Sequence, residues 1–382
     1  MPRFSTLVPI GPEALLRSDV LAPAAGVLPN RTVALFDEPA AGADPETQRF
    51  GQFGRPLGPR VDLGPLENPD GGGVSHSLIE PLRGGGYVAG WLESFSQATD
   101  SRYAVIGPDD RLLVSTTFGN SGRVSGLAAT DLPGGGFALL ETVSGIFGES
   151  AALHFQRFTA QGAPIGQPLT LAAQSGGAGT LSYSDPQALA LNGATELLWI
   201  ARDGVHAGRL AADNSFQSQL LDAGQAADLD AVRLNDGRVV ATWAEPNGFD
   251  AFVMAAVFDP AHPDQARVFK VGDADAFASA TDPELAALKS GGWAVSWHDG
   301  QADGSTTART FGPTGDASPE FHARGDFIGT DAFGRVLAMR VDPDGDVFLS
   351  RYFELSLPFF IPGLDVVHQP QSALAAAQEW AL

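Results

Sequence analysis

The chain repeats one arrangement of polar and apolar positions seven times. Each copy opens with a turn rich in Gly, Asn or Asp, continues with four to six alternating apolar residues, and closes on a large side chain. The clearest copy runs from Asn235 to Trp243, and the stretch from Gly334 to Arg340 matches it closely. The closing residues of the seven copies are Phe36, Trp91, Glu141, Trp199, Trp243, Trp297 and Arg340.

The spacing of the copies predicts the fold. Successive closing residues lie 43 to 58 positions apart. A repeat of about 40 to 50 residues with strand-type alternation is typical of a β-propeller, in which each repeat forms one four-stranded blade. We therefore predict an all-β chain with a single seven-bladed β-propeller over residues 1–355. Six or eight blades are the alternatives, because terminal repeats are the least regular.

A second motif follows the alternating runs and predicts how a blade ends. Its full form is Gln-Arg-Phe, then a Gly-bearing turn and a Pro, at residues 48–58 and again at 156–166. Weaker forms occur at 257–260 and 309–315. We interpret the motif as the end of a third strand, a tight turn and the start of a fourth strand.

The two ends of the chain have different predicted roles. An open ring would leave an exposed strand edge, and the last repeat lacks a clear fourth strand. The apolar segment from Phe4 to Ile10 precedes the first repeat, so we predict that it completes the last blade. Residues 356–382 form a Pro-rich C-terminal tail with a short helix-like end from Gln371 to Leu382, which we place outside the ring.

Charge narrows the range of partners. The chain has 23 Lys plus Arg against 45 Asp plus Glu, a formal net charge of −22, and its only lysines are Lys270 and Lys289. Such a surface repels phosphate backbones and anionic lipids, so we expect no nucleic-acid partner and no membrane insertion. A protein or carbohydrate partner and cations remain, and the sequence leaves the oligomeric state open.

The compartment is suggested by what the sequence lacks. There is no cysteine, which excludes disulfides and thiolate metal sites. The first ten residues lack the charged start and apolar core of a secretory signal. We predict an extracellular or cell-surface protein that is exported by a route without an N-terminal signal peptide, with a cytoplasmic location as the alternative.

Acidic residues recur two positions after the closing residue. In a ring, these positions fall on one rim and would form a band of carboxylates. Such a band could hold Ca²⁺ or attract a cationic partner, although an acid after a strand often only solvates a loop. The predicted ligand-binding rim residues are Glu38, Glu93, Glu245, Asp299 and Asp342.

The sharpest local motif is a run of alternating acids. Asp342, Asp344 and Asp346 alternate with Pro343 and Gly345, as at the start of a calcium loop. The bidentate Glu that an EF-hand would place several residues later is absent. Asp-Gly pairs are also ordinary hairpin turns, so the sequence supports calcium as a candidate cofactor beside a purely structural turn.

Histidine and tryptophan give weaker signals. His298 is the only histidine on the predicted acidic rim, which makes it the candidate general base if the protein is an enzyme. The Trp residues at the closing positions are best explained by packing between blades. Trp293 lies off the repeated position and is the better candidate for a sugar platform, although packing explains it as well.

The complete repeat unit is seen best from Pro283 to Gly315. It resembles the propeller repeats of large bacterial exported proteins, often type I secretion substrates related to the calcium-binding RTX-type adhesins and haemolysins. The resemblance covers about residues 20 to 355 at the level of the repeat pattern. It implies a propeller fold and an exported protein, while the Gly-Gly-x-Gly-x-Asp calcium repeats of that family are absent here.

Three functions remain compatible with the sequence. The first is a non-catalytic binding or adhesion module, an acidic propeller stabilised by calcium that holds a glycan or protein partner on one rim. The second is a hydrolase or lyase acting at the central channel, which would require converging carboxylates with raised pKa values. The third is a structural subunit of a larger particle or envelope assembly.

Overall fold

The computed structural model is a ring of seven antiparallel sheets. It describes residues 4–18, 23–30, 32–37, 44–51, 53–66, 73–94, 99–118, 123–144, 151–174, 183–247, 250–275, 282–298, 306–342, 344 and 346–357. The predicted tail beyond residue 357 lies outside these ranges. Six sheets have four strands, and the last has five. The predicted all-β, seven-bladed propeller is therefore confirmed.

The described residues form twenty-nine strands and one short 3-10 helix, Pro263–Gln265. In chain order, the strands are β1 Phe4–Pro9, β2 Ala14–Arg17, β3 Ala24–Val27, β4 Thr32–Asp37, β5 Glu46–Gly51, β6 Val61–Asp62, β7 Val74–Pro81, β8 Tyr87–Ser94, β9 Thr99–Ile106, β10 Leu112–Thr117, β11 Val124–Asp131, β12 Phe137–Val143, β13 Ala151–Phe158, β14 Pro164–Gln174, β15 Ser184–Leu191, β16 Ala194–Ala201, β17 Gly204–Ala211, β18 Phe216–Ala223, β19 Ala227–Arg233, β20 Val239–Asn247, β21 Asp250–Phe258, β22 Arg267–Asp275, β23 Glu284–Ala287, β24 Trp293–His298, β25 Thr306–Phe311, β26 Phe321–Ala323, β27 Asp326–Thr330, β28 Arg335–Val341 and β29 Val347–Leu357.

Each blade is an antiparallel meander. Blades 1 to 6 contain β3–β6, β7–β10, β11–β14, β15–β18, β19–β22 and β23–β26, and blade 7 contains β27, β28, β29 and β1, with β2 also paired to β29. The first strand of each blade contacts the first strand of the next, and β27 contacts β3, so the seven first strands surround the central channel. First strands begin and second strands end on one face, called the upper face here. Hairpin turns between first and second strands, and between third and fourth strands, lie on the lower face.

The core lies between blades. Seven clusters of buried apolar side chains each join two neighbouring blades, including the pair formed by blades 7 and 1. As expected from the repeat pattern, the closing tryptophans are buried in these clusters: Trp91, Trp199, Trp243 and Trp297. In one such contact, the rings of Phe36 in blade 1 and Trp91 in blade 2 lie 5.8 Å apart.

In its full form, the second motif fastens one blade to the next. Arg49 reaches from blade 1 to the lower-face turns of blade 2, where it donates to the carbonyl oxygens of Pro108, Gly85 and Gly107 and pairs with Asp110 at 2.9 Å. Arg157 makes the corresponding contacts from blade 3 to Asn214 and Ala211 of blade 4. The motif is therefore a structural clamp between blades.

At the inner edge of the ring, the backbone groups of the first strands need hydrogen-bond partners from outside their own sheet. A first strand pairs with only one strand of its own sheet, so its other edge carries unpaired backbone groups. Side chains of an adjacent blade satisfy several of these groups. The contacts are Glu80 with the Asp131 N–H (2.8 Å), Thr130 with the Ala190 N–H (3.0 Å), Arg233 with the Ala190 carbonyl (3.1 Å), Gln187 with the Leu229 carbonyl (2.8 Å), Asp230 with the Leu285 N–H (2.7 Å) and Thr330 with the Ala287 carbonyl (2.6 Å).

The N-terminal strand closes the ring, as predicted. β1 pairs antiparallel with β29, from Phe4 opposite Leu357 to Pro9 opposite Tyr352. Leu7 is 5% exposed and belongs to the apolar cluster between blades 6 and 7. The Thr310 hydroxyl of blade 6 also donates to the Ser5 carbonyl oxygen, so β1 is held by its own sheet and by the neighbouring blade.

No helix within the described ranges is long and apolar enough to span a membrane.

Closure by β1 predicts an asymmetric effect of two leucine substitutions. Leu7→Ala removes a buried side chain and leaves a cavity, so it should lower the free energy of unfolding by about 2–4 kcal/mol. Leu15→Ala in β2 of the same sheet is the control, because Leu15 is 49% exposed and its loss should change stability by less than about 0.5 kcal/mol. Denaturant unfolding measures both; equal effects would contradict the closing role of β1.

Candidate functional site

Four first strands begin with the same unusual backbone geometry. His76, Asp185, Asp228 and Asp282 all have positive φ, at 48°, 45°, 54° and 36°. They stand at equivalent places in blades 2, 4, 5 and 6, and in the first three they lie within a register shift of the pairing with the second strand. Asp and His tolerate the left-handed region better than most side chains. The geometry places four polar side chains at the upper mouth of the channel.

Backbone amides connect these residues around the ring. The Asp228 N–H donates to the Asp185 carboxylate, and the Asp282 N–H donates to Asp228 Oδ2 at 3.3 Å. Two residues further along β19, Asp230 accepts the N–H groups of Leu285 and Ala231, both at 2.7 Å. Each of these carboxylates therefore accepts a hydrogen bond from a nearby backbone N–H, and three of the hydrogen bonds cross from one blade to the next.

A histidine–carboxylate pair completes the group. His298 Nε2 lies 3.2 Å from Asp326 Oδ2, and the Thr306 hydroxyl lies 3.5 Å from the other oxygen of Asp326. His298 also interacts electrostatically with Asp282, as does His76 with Asp185. We call the whole group the channel-mouth cluster: His76, Asp185, Asp228, Asp230, Asp282, Glu284, His298 and Asp326.

Burial, followed by the crowding of acids, raises pKa values in the cluster. Desolvation is the main cause at Asp282, followed by repulsion from Asp326 and Asp228, and together they raise its pKa to about 6 against the attraction of His298. Although Asp282 as a residue is exposed, the surrounding atoms still desolvate its carboxyl group. Asp282 therefore keeps its proton at pH values where an ordinary aspartate has lost it.

Two further carboxyls respond in the same way. Burial raises the pKa of Asp230 to about 7, although its two amide hydrogen bonds oppose the shift. Burial and the charges of Asp230 and Asp282 raise the pKa of Glu284 well above its ordinary value. Carboxyls with raised pKa values in one cleft can act as proton donors or accept ligand hydroxyl and ammonium groups.

The three predicted rim residues within the described ranges do not belong to the channel-mouth cluster. Glu38 and Asp299 lie outside the described residues. Glu93 is fully buried and pairs with Arg102 at 3.1 Å, whereas Glu245 is only partly exposed. Glu93, Glu245 and Asp342 belong to blades 2, 5 and 7, outside the first strands. Among the predicted site residues that the structure describes, only the candidate base, His298, lies in the channel-mouth cluster.

The predicted calcium motif forms a turn. Asp342 Oδ1 accepts the backbone N–H groups of Asp344 and Asp346, both at 3.0 Å, and the Asp342 N–H donates to the Asp346 carbonyl oxygen. Pro343 and Gly345 lie outside the described residues. Within the described ranges, no group of three or more His, Asp and Glu side chains is arranged to hold a metal ion. Calcium stays a prediction.

Another buried polar network joins blades 2 and 3. Glu141, the closing residue of its repeat, accepts a 2.6 Å hydrogen bond from the Ser101 hydroxyl and lies 2.9 Å from His154 Nδ1. The carboxylate stands between the serine and the histidine, so the imidazole does not contact the hydroxyl that a nucleophile would need. The arrangement favours a structural role.

The acids of the channel mouth were not identified from sequence, although a signal existed. Ser184-Asp185-Pro186-Gln187 and Thr281-Asp282-Pro283-Glu284 repeat one motif just before or at the start of a first strand. Asp228-Leu229-Asp230 places acids at the same two positions. Aligning the repeats on their first strands, instead of their second strands, would have revealed the cluster.

Similarity to solved structures supports the fold alone. No family model and no curated sequence matches this chain. The β-propeller domain of the trilobed protease from Pyrococcus furiosus, described as having an open velcro topology, has a TM-score of 0.51 at 10% identity and covers 90% of this chain and 99% of its own. The Cps50 (Swd1) propeller domain of Myceliophteria thermophila has the same score and identity, covering 89% and 99%. The fucose-specific lectin of Aleuria aurantia has a TM-score of 0.44 at 13% identity, covering 80% and 96%.

The raised pKa of Asp282 predicts that replacing it with the neutral Asn increases stability, and that the increase depends on pH. Between the ordinary pKa of 3.8 and about 6, the folded state holds the proton more tightly than the unfolded state, so this group lowers stability as pH rises through that window. Asp282→Asn keeps a residue that tolerates positive φ. It should raise the melting temperature by about 1–3 °C at pH 7.5 and leave it unchanged near pH 4.

Scanning calorimetry at the two pH values measures this effect. Asp264→Asn, at an exposed site on the lower face, is the charge-matched control and should show no pH-dependent rise in melting temperature. A gain of equal size in both variants would attribute the effect to net charge, not to the channel-mouth cluster.

Proposed function

We propose that this protein is a non-catalytic binding module whose ligand enters the central channel at the upper face. The observation that carries the proposal is the channel-mouth cluster, in which six carboxyls and two histidines from five blades lie at the starts of first strands or close beside them. Mutual repulsion among its acids is an unfavourable arrangement that a cationic ligand would relieve.

The charge of the protein favours a basic partner. A net charge of −22 and a concave, acidic channel mouth attract a positively charged segment and raise its rate of association. Lysine or arginine side chains would pair with Asp228, Asp282 and Asp326, whose carboxylates come from three consecutive blades. We therefore assign the site to a basic segment of a protein partner, with a carbohydrate as the competing class. The extracellular location predicted from the sequence fits either partner.

Binding of a labelled hexalysine peptide tests this assignment. Asp282→Asn should weaken binding at least about five-fold, because it removes a charge inside the cluster, whereas Asp264→Asn should weaken it less than about two-fold. Fluorescence anisotropy at several salt concentrations measures both. Equal weakening would mean general attraction to an acidic protein and would overturn the assignment. Binding of a neutral glycan that depends on Asp282, without peptide binding, would replace the basic partner with a carbohydrate.

A hydrolase acting at the channel is the second candidate, and one observation favours it. Glu284 and Asp282 lie two positions apart with raised pKa values, as a general acid requires near neutral pH. In this alternative, Glu284 donates a proton to a leaving group, while His298, oriented by Asp326, serves as the base.

Turnover of a panel of chromogenic glycosides tests the hydrolase. Activity should fall at least about 100-fold in Glu284→Gln, and the pH profile should have a limb near the pKa of Asp282. The matched control is Glu320→Gln, an exposed acid of blade 6 before β26. Turnover that is absent, or equal in both variants, would remove the enzyme alternative.

Calcium is tested by thermal unfolding in EDTA and in millimolar Ca²⁺. An ion bound only by the folded state at about 100 times its dissociation constant stabilises by about 2.7 kcal/mol, so structural calcium predicts a clear rise in melting temperature. The rise should disappear in Asp342→Ala combined with Asp344→Ala. An unchanged melting temperature would contradict the prediction that calcium stabilises this protein.

A further inference from the structure

A pocket on the lower face, far from the channel-mouth cluster, has features of a second binding site. It lies between blades 5 and 6 and has a volume of about 260 Å³. Its floor includes the aromatic side chains of Phe269 and Trp293, and its exposed wall carries Arg238, Arg267 and His262. Trp293 is the aromatic residue that stood outside the repeated position in the sequence.

In blade 5, the interblade clamp lacks its arginine, and the pocket lies at that position. Val257 stands in blade 5 at the position that Arg49 occupies in blade 1 and Arg157 in blade 3, as the following Phe and turn show. In blades 1 and 3, that arginine fills the space against the next blade. The shorter side chain of Val257 leaves this space open. Arg238, in the turn between β19 and β20, supplies a different contact between the blades and donates to the Pro313 carbonyl oxygen at 2.8 Å.

Arg267 is positioned to receive a ligand. Its guanidinium carbon lies 5.1 Å from the centre of the Phe269 ring, so the aromatic side chain supports it. Gly315 of blade 6 has no side chain, and an ideal Cβ there would lie 3.1 Å from Arg267 Nη1, so the glycine leaves room for the guanidinium. Among the described residues, Arg267 has no carboxylate partner, whereas Arg238 pairs with Asp236 at 2.7 Å.

We propose that this pocket binds a small organic carboxylate with a flat apolar body. The carboxylate would accept two parallel hydrogen bonds from Arg267, the planar geometry that a guanidinium favours, while the apolar body would lie along the half-buried Phe269, above the buried Trp293. Asp259, the one carboxylate in the pocket lining, accepts the Ala261 N–H at 2.9 Å and opposes an anion by repulsion. The site is independent of the ligand proposed for the channel.

Saturation-transfer NMR titrations with benzoate, benzamide and benzamidine test the proposal. The three probes share a ring and differ in charge. Benzoate should bind with a dissociation constant on the order of 1 mM, and neutral benzamide should bind at least about five-fold more weakly. Equal binding of benzoate and benzamide, or preferred binding of cationic benzamidine, would overturn the proposal.

Three variants locate the effect. Arg267→Gln should weaken benzoate binding at least about five-fold, and Asp259→Asn should strengthen it about two-fold while keeping the acceptor for Ala261. Arg83→Gln, an exposed arginine on the lower face of blade 2, is the charge control and should change binding less than about two-fold. Because Arg267 and Asp259 are exposed, all variants should retain the melting temperature. Unchanged benzoate affinity in Arg267→Gln would contradict the site.

Discussion

The ring depends on how each blade completes the hydrogen bonds of its neighbour's first strand. A first strand in a propeller is an edge strand that faces the channel, and buried backbone groups cannot be left without partners. Here, side chains cross from blade to blade to supply those partners. Ala190 shows the principle most fully, since Thr130 of the preceding blade caps its N–H and Arg233 of the following blade caps its carbonyl oxygen. Apolar packing joins the blades, but these contacts set how one blade is placed against the next.

The same requirement explains why acids collect at the channel. An N–H group needs an acceptor, and a carboxylate is a strong one, so Glu80, Asp228 and Asp230 cap amides of neighbouring blades. Placing a carboxyl in a desolvated position is unfavourable for its charged form and raises its pKa. At Glu80, burial raises the pKa to about 8. At the upper mouth, four strand starts bring several of these acids together. Hydrogen bonds that serve the structure, repeated around the ring, thereby produce a concentrated polar surface.

The fold could be predicted from the sequence because every repeat carries the same pattern of strands and turns. The alternating runs coincide with the second strands, the Gln-Arg-Phe motif predicted the end of the third, and the apolar segment from Phe4 to Ile10 supplied the missing strand of blade 7. The candidate site was less predictable. The channel-mouth cluster joins residues from 76 to 326 that only the circular arrangement brings together. Glu93 matched the rim pattern, yet it is buried with Arg102, because repeat position alone does not reveal the partner that an adjacent strand provides.

Closure by the N-terminal strand also fixes the order in which the molecule can be completed. β1 is synthesised before the other strands of the ring, and β29, its partner, is the last strand in the described chain. Until β29 has been synthesised, the earlier blades form an open arc, and Phe4–Pro9 remains an apolar segment without its partner strand. Contacts between residues so distant in the chain form slowly, and unpaired strand edges promote aggregation meanwhile. The pairing of β1 with β29 is therefore a late step in completing the ring.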